Sequence, residues 1–346
     1  MERKLLYNPE GDDSLKGRKL IGGDTTGLIN LNNVRYHWGP KMYRLMMSNF
    51  WIPEKIDLTK DITHYSQLTE EERRAYKGIL SFLVFLDSLQ TNNLPNIGDY
   101  ITAPEVSTLI HIQDFQEVIH SQSYAYLIES VIPKADKNSV YEFWKDDPNL
   151  YKRNEYVASV YQYLLDHPED PKALWKVMVA NYLLEGLLFY NGFAFFYNLA
   201  SRDLCIGTAD MIRYINRDEY SHCVLFANII QTIRDEHPDM YDEAILLEMT
   251  RTAVDQEIEW TNHIIGSSVL GINPTSTEAY TKYLANKRLH DIGLAPLYPT
   301  FTENPYLHLE QMADEGGDAT VKSNFFETQV TSYSMSSSVQ DDWGDF

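Results

Sequence analysis

The sequence predicts an all-α protein built on a bundle of long helices. Strand-type alternation of apolar and polar residues is nearly absent, whereas helix-opening signals recur ahead of long segments. Apolar residues make up 44% of the 346, with 24 Tyr and 14 Phe, which suffices for a large core and excludes a chain disordered throughout. The length allows one large domain or two ordinary ones.

Taken in order, a short helix fits residues 42–50. Thr69-Glu70-Glu71-Glu72 opens a long helix to about residue 93, with acids in the first turn where the helix dipole favours them. Thr102-Ala103-Pro104-Glu105 reads as a capping box with Pro inside the first turn, for a helix to about Val131, before Pro133. Shorter pieces fit residues 139–145 and 154–166. Asp170-Pro171 starts an apolar helix ending near Ala200, in which Glu185 is the only charged residue after Val177. Length and hydropathy alone would allow this stretch to span a membrane. Asn181, Asn191 and Asn198 interrupt it and no second span accompanies it, so a helix buried on all sides is expected. Further helices are expected over residues 209–235, 239–265 and 275–291, the last opened by Thr275-x-x-Glu278. The chain thus divides into an N-terminal extension (1–40), a helical domain (41–300) and a tail (301–346).

Composition narrows the partners. With 50 acidic against 29 basic residues the formal charge is -21, and no dense Lys/Arg cluster relieves it, so neither nucleic acid nor a membrane surface is an expected partner. Cys205 and Cys223, the two cysteines, exclude a disulfide framework and a cysteine-ligated cluster. Met1-Glu2-Arg3-Lys4 leads into no apolar segment, so a cytoplasmic location is expected. Residues 316–339 are rich in Ser, Thr and Gly, and the chain ends Asp341-Asp342-Trp343-Gly344-Asp345-Phe346. The tail is expected to be largely disordered in isolation. Its terminal aromatics are better explained by docking into a partner's groove than by an acidic solvating role.

The chemistry lies on the long helices. Glu117-x-x-His120 and Glu219-x-x-His222 each place an acid and an imidazole on one helical face, within reach of one metal. Either pair alone would be unremarked chance. Two other helices, however, each carry one acid inside an apolar run: Asp87 in Leu86-Asp87-Ser88, and Glu185 in Leu184-Glu185-Gly186. A lone carboxylate there costs several kcal/mol unless it neutralises, pairs or binds a cation. Four carboxylates and two imidazoles on four helices suit two divalent metals, with carboxylates bridging and one His per metal. The arrangement matches ferritin-like di-iron and di-manganese bundles, with Asp87 where that template has Glu. Tyr124 follows His120 by four, one turn along the ligand face, and Phe189, Phe193 and Ile215 lie on ligand-bearing faces placed to wall it in a dry pocket.

These residues resemble the class I ribonucleotide reductase small subunit, the radical-generating β chain. The resemblance rests on Glu117-x-x-His120-x-x-x-Tyr124, Leu86-Asp87-Ser88, Glu185 with Phe189-Tyr190, Arg217-Asp218-Glu219-x-x-His222, Phe50-Trp51-Ile52-Pro53-Glu54 and the acidic, aromatic-ended tail. It covers roughly Asn32 to the C-terminus, with the motifs agreeing in type, order and approximate spacing.

The resemblance implies that Asp87, Glu117, His120, Glu185, Glu219 and His222 bind two metal ions: Fe/Fe as the expected pair, with Mn/Mn or mixed Mn/Fe as alternatives. It implies that an oxygen-derived oxidant acting through the metals turns Tyr124 into a neutral radical. A transfer path through His120, Asp218 and Trp51, then Tyr333 in the tail, would lead to a cysteine of the large subunit that starts 2'-hydroxyl removal from a ribonucleotide, in an enzyme of the ribonucleoside-diphosphate reductase type. The implied partners are that large subunit, docked through Trp343 and Phe346, a second copy in a homodimer, and a flavoprotein activator if the metal is manganese. No separate nucleotide-sensing domain is expected before Trp51. The rival readings are a ligand-binding oxidase, a desaturase-like di-metal enzyme and a metal-storage protein. Asp87 and the terminal aromatics argue against the first two; a buried Tyr beside the site argues against the third.

Overall fold

The computed structural model describes residues 1–310, so Tyr333, Trp343 and Phe346, with most of the expected tail, lie outside the described residues. Eleven α-helices run from Trp38 to Asp291, after an N-terminal segment without helix, and one isolated bridge, Ile21 to Ile101, stands in place of any strand among the described residues. The helices are α1 (Trp38–Ser48), α2 (Thr59–Gln67), α3 (Glu70–Gly98), α4 (Pro104–Val131), α5 (Lys137–Asp146), α6 (Pro148–Asp166), α7 (Pro171–Leu183), α8 (Tyr190–Ala200), α9 (Ile206–Glu236), α10 (Glu243–Ile264) and α11 (Pro274–Asp291).

Local chemistry explains most of the boundaries. The Thr69 hydroxyl accepts from Glu72 N–H while the Glu72 carboxylate accepts from Thr69 N–H, so the capping box at the start of α3 forms as expected. α3 then runs past Pro95 to Gly98, about a turn beyond the expected end. The box expected at Thr102 does not form. Thr102 Oγ1 donates to Lys19 O at 2.7 Å and accepts from Gly23 N–H, while the Glu105 carboxylate accepts from Arg35 N–H at 2.7 Å and Tyr36 N–H at 3.1 Å. Arg18 pairs with Glu105 at 3.3 Å, both side chains fully enclosed. The N-terminal segment has captured both capping side chains and is thereby fastened to α4. α11 likewise opens one position earlier than expected, on an Asn273/Ser276 box with Pro274 in the first turn. α2 is an addition to the expected helices, and its Asp61 explains its place: the carboxylate accepts from Gly207 N–H at 3.1 Å, Thr208 N–H at 2.6 Å and Thr208 Oγ1 at 2.7 Å, capping α9.

The largest departure is within the apolar stretch. A single helix over 170–200 is expected; instead α7 passes into a π-helical turn, Leu184–Leu188, before α8 resumes. Every residue from Val177 to Leu199 is buried, as a helix enclosed on all sides requires. Among the described residues no helix is long and apolar enough to cross a membrane. α3 packs along α4, and α7, the π turn and α8 pack on α9, so α3, α4, the π turn and α9 surround one volume. α10 and α11 close over the π turn from outside, and α6 reaches it through Arg153.

Candidate metal centre

Asp87 comes from α3, Glu117 and His120 from α4, Glu185 from the π turn, and Glu219 and His222 from α9; all six have no solvent exposure. They form two overlapping groups, Asp87–Glu117–His120–Glu219 and Glu117–Glu185–Glu219–His222. His120 Nδ1 stands 3.7 Å from Asp87 Oδ2, 3.3 Å from Glu117 Oε2 and 3.2 Å from Glu219 Oε1. His222 Nδ1 stands 3.1 Å from Glu117 Oε1, 3.4 Å from Glu185 Oε2 and 3.0 Å from Glu219 Oε2. Glu117 and Glu219 therefore each offer one oxygen to each imidazole, which is the disposition of bridging carboxylates.

The donor set fits a pair of divalent cations. Both Asp87 oxygens, Glu117 Oε1 and Glu219 Oε1 lack a hydrogen bond of acceptable geometry although fully buried, a costly condition unless something else binds them. Four carboxylates and two divalent ions sum to no net charge with neutral imidazoles. In the metal-free protein, protons do part of that work. Burial and the neighbouring carboxylates push Asp87 and Glu185 well above the usual range. Burial pushes Glu219 up too, but hydrogen bonds from Glu185 and the imidazoles outweigh it and hold its carboxyl well down. Burial disfavours the charged imidazoles, yet the surrounding carboxylates raise both His120 and His222 well above their ordinary value.

Outer partners orient the cluster. His222 Nε2 meets Gln116 Oε1 at 2.9 Å, and His120 Nε2 lies 3.4 Å from Asp218 Oδ2. The same Asp218 oxygen accepts from Trp51 Nε1 at 2.8 Å, so Trp51, Asp218 and His120 form one connected line. Trp51 stacks on Tyr214 with centroids 5.1 Å apart. Glu185 Oε1 accepts from Gln90 Nε2 and, at 2.8 Å, from Gln113 Nε2, and Gln90 is itself held by the Tyr161 hydroxyl at 2.8 Å. Gln90, Gln113 and Gln116 escaped the sequence reading. Their one signal was spacing, three residues after Asp87, four before Glu117 and one before it. Tyr124 is fully buried, and its hydroxyl faces Asp87 without forming a hydrogen bond of acceptable geometry. Burial, then the Asp87 charge, pushes its phenol well above the ordinary value. Phe189, Phe193 and Ile215 are buried as well.

Two Glu-x-x-His pairs and two further acids, gathered by one helical bundle, define a ferritin-like protein with a dinuclear metal centre. The family model described as ribonucleotide reductase, small chain, matches residues 28–305. The chain is 41% identical over 345 residues to the ribonucleoside-diphosphate reductase subunit beta of Treponema pallidum (strain Nichols), covering 99% of this chain and 98% of that one. It is 36% identical over 336 residues to the like-named protein of Halalkalibacterium halodurans, covering 96% of each. Among solved structures, the ribonucleotide reductase R2 subunit from Clostridium botulinum is 41% identical with a TM-score of 0.87, covering 90% of this chain and 99% of that one. The chain belongs to the ribonucleotide reductase small-chain family. It is thus the small subunit of a ribonucleotide reductase, which decides against the oxidase, desaturase and storage readings.

Proposed function

We propose that this chain is the radical-generating subunit of a cytoplasmic ribonucleoside-diphosphate reductase, with Asp87, Glu117, His120, Glu185, Glu219 and His222 holding two metals and Tyr124 carrying the radical. The observation that carries the reading is the pair of four-residue groups sharing Glu117 and Glu219, within one helical turn of a buried tyrosine whose hydroxyl faces Asp87. When bound, the metal pair supplies oxidising power that no side chain has. Tyr124 gives up one electron, and its phenolic proton leaves toward the Asp87 carboxylate, which the phenol faces and which would be ionised once metal is bound. The enclosing apolar core keeps water and reductants from the radical. During turnover the electron that refills Tyr124 travels through Trp51, Asp218 and His120. Trp51 Nε1–H already donates to Asp218, so its proton has a place to rest as the indole is oxidised. Tyr333 would then carry the oxidising equivalent to the large subunit, docked through Trp343 and Phe346.

Iron is the proposed occupant; manganese, delivered its oxidant by a flavoprotein, is the alternative the same ligand types accept. The proposed homodimer is supported by an apolar face between α1 and α4, where Met47, Phe50, Phe115 and Val118 are half or more exposed and the Phe50 and Phe115 rings stack at 6.4 Å. The test is low-temperature electron paramagnetic resonance on metal-free protein reloaded with Fe(II) in air. A tyrosyl doublet absent from Tyr124→Phe is the expected result. A doublet that survives the substitution sinks the assignment, and no radical with two ions bound points to manganese.

A further inference from the structure

Glu185 is the one residue of the cluster that sits on a non-α turn. An extra residue in a turn takes backbone carbonyls out of the i to i−4 ladder, and in a dry core they need other partners. Two buried guanidiniums meet that need. Arg288 Nε, from α11, donates to Gly186 O at 2.8 Å, and Arg153 Nη2, from α6, donates to Leu188 O at 2.8 Å. Both arginines are among the largest fully buried side chains of the protein. Their charges are answered locally. Arg153 pairs with Glu257, whose other oxygen accepts from Asn191 Nδ2 at 3.0 Å, and Arg288 Nη1 lies 3.1 Å from Asp291 Oδ2. Burying two cations to serve two carbonyls is an expensive solution, since neutral amides would do, and it suits a segment that must not relax.

Gly186 shows how closely the clamp grips. A Cβ there would meet Arg288 Nε at 2.8 Å, Arg288 Cδ at 2.9 Å and Cys223 Sγ at 2.9 Å. Only a bare backbone lets the guanidinium lie against the turn, and Cys223 on the other side directly follows the cluster residue His222.

We propose that Arg288, seconded by Arg153, is a positioning residue that holds the Leu184–Leu188 turn in its π form and so sets the Glu185 carboxylate against His222 rather than away from it. The proposal rests on the reading of Glu185 as a metal ligand. Without the clamp the segment relaxes toward an ordinary helix, and one residue of register turns a side chain by about 100° around the axis. Glu185 then leaves the group it shares with His222, while the group of Asp87 and His120, which does not include it, stays intact.

Arg288→Met removes the donor and keeps an apolar stem. Arg288→Gln keeps a donor, because glutamine carries Nε2 the same number of bonds from Cα as arginine carries Nε, and loses the charge and the Nη1 contact with Asp291. Each full-length variant is stripped of metal, titrated with Mn(II) and followed by electron paramagnetic resonance; amide exchange of the 184–190 segment is read on the metal-free protein. Wild type is expected to bind two ions with an exchange-coupled spectrum. Arg288→Met is expected to lose about 10- to 100-fold in affinity for one ion, show the six-line spectrum of an isolated Mn(II), and exchange faster over 184–190. Arg288→Gln is expected to restore all three. Two tightly bound, coupled ions in Arg288→Met, with one in Glu185→Ala, would overturn the clamp alone. Two in Glu185→Ala would overturn the ligand assignment beneath it. Should Arg288→Met not fold, the comparison is made on Arg288→Gln against Arg153→Gln, and a metal-free 184–190 segment unprotected in Arg288→Gln would overturn the role of the donor.

Discussion

Removing the Tyr124 hydroxyl from the metal-free protein is expected to stabilise it. Replacing a buried tyrosine by phenylalanine ordinarily costs stability, because the hydroxyl was hydrogen-bonded. Tyr124 is fully buried, and its hydroxyl faces the Asp87 carboxylate in a contact too poorly aligned to count as a hydrogen bond for either group. A buried polar group left unsatisfied costs about 1–3 kcal/mol, so Tyr124→Phe should recover about that much while leaving the ring in place. Tyr182 is the internal control. It is equally buried, but its hydroxyl donates to Arg288 O at 2.7 Å, so Tyr182→Phe should lose about 1–3 kcal/mol by orphaning that carbonyl. Unfolding entropy near 2.1 cal/mol/K per residue means that 1 kcal/mol moves Tm by only ~1–2 °C in a chain this long, so urea unfolding in chelator is the better assay. The two variants should move the midpoint in opposite directions. If Tyr124→Phe loses stability like Tyr182→Phe, the hydroxyl is bonded in the metal-free state, and the idea that it is kept for radical chemistry at a cost in stability fails. If it gains, the hydroxyl is maintained against the fold's own preference, the mark of a functional group.

Trp51→Phe should form the Tyr124 radical normally yet support no turnover with the large subunit, and should lose about 1–3 kcal/mol of stability because Trp51 Nε1 donates to a buried carboxylate. Turnover at the wild-type rate would remove Trp51 from the path. Ending the chain after Ser338 should leave the tyrosyl doublet unchanged and abolish turnover; persistent turnover would show that Trp343 and Phe346 do not dock. Phe115→Asp, at an exposed position, should leave the helical content intact and shift sedimentation from dimer to monomer. A variant that still sediments as a dimer would place the interface elsewhere.

How much of this was legible depended on whether a residue's role was local. The Thr69–Glu72 box and both Glu-x-x-His pairs are local patterns, and the structure forms the first and brings the second together. Thr102 and Glu105 carry the same pattern as Thr69 and Glu72, but Arg18, Arg35 and Tyr36 compete for Glu105 from far away in sequence, and no local rule contains them. The π turn was illegible for a different reason. Its residues, Leu184 to Leu188, read as ordinary apolar helix, and what selects the extra residue is a pair of guanidiniums from α6 and α11. The three glutamines carry no charge to draw attention and gain meaning only once α3, α4, α9 and the π turn face each other.

The cluster and its frame make opposite demands on the fold. Four carboxylates packed without cations are unfavourable when charged, and burial, then the neighbouring carboxylates, pushes Asp87 and Glu185 upward. A cluster left to itself would splay. It is prevented from doing so by groups that need no metal: the glutamine amides on Glu185 and His222, Asp218 on His120, and the two arginines on the π turn. The proposed ligand atoms are therefore held close together without any ion, so on this proposal metal uptake would not have to reorganise the helices. The same rigidity would serve the proposed electron path, because the contacts that join Trp51, Asp218 and His120 lie on the side of the imidazole away from the cluster.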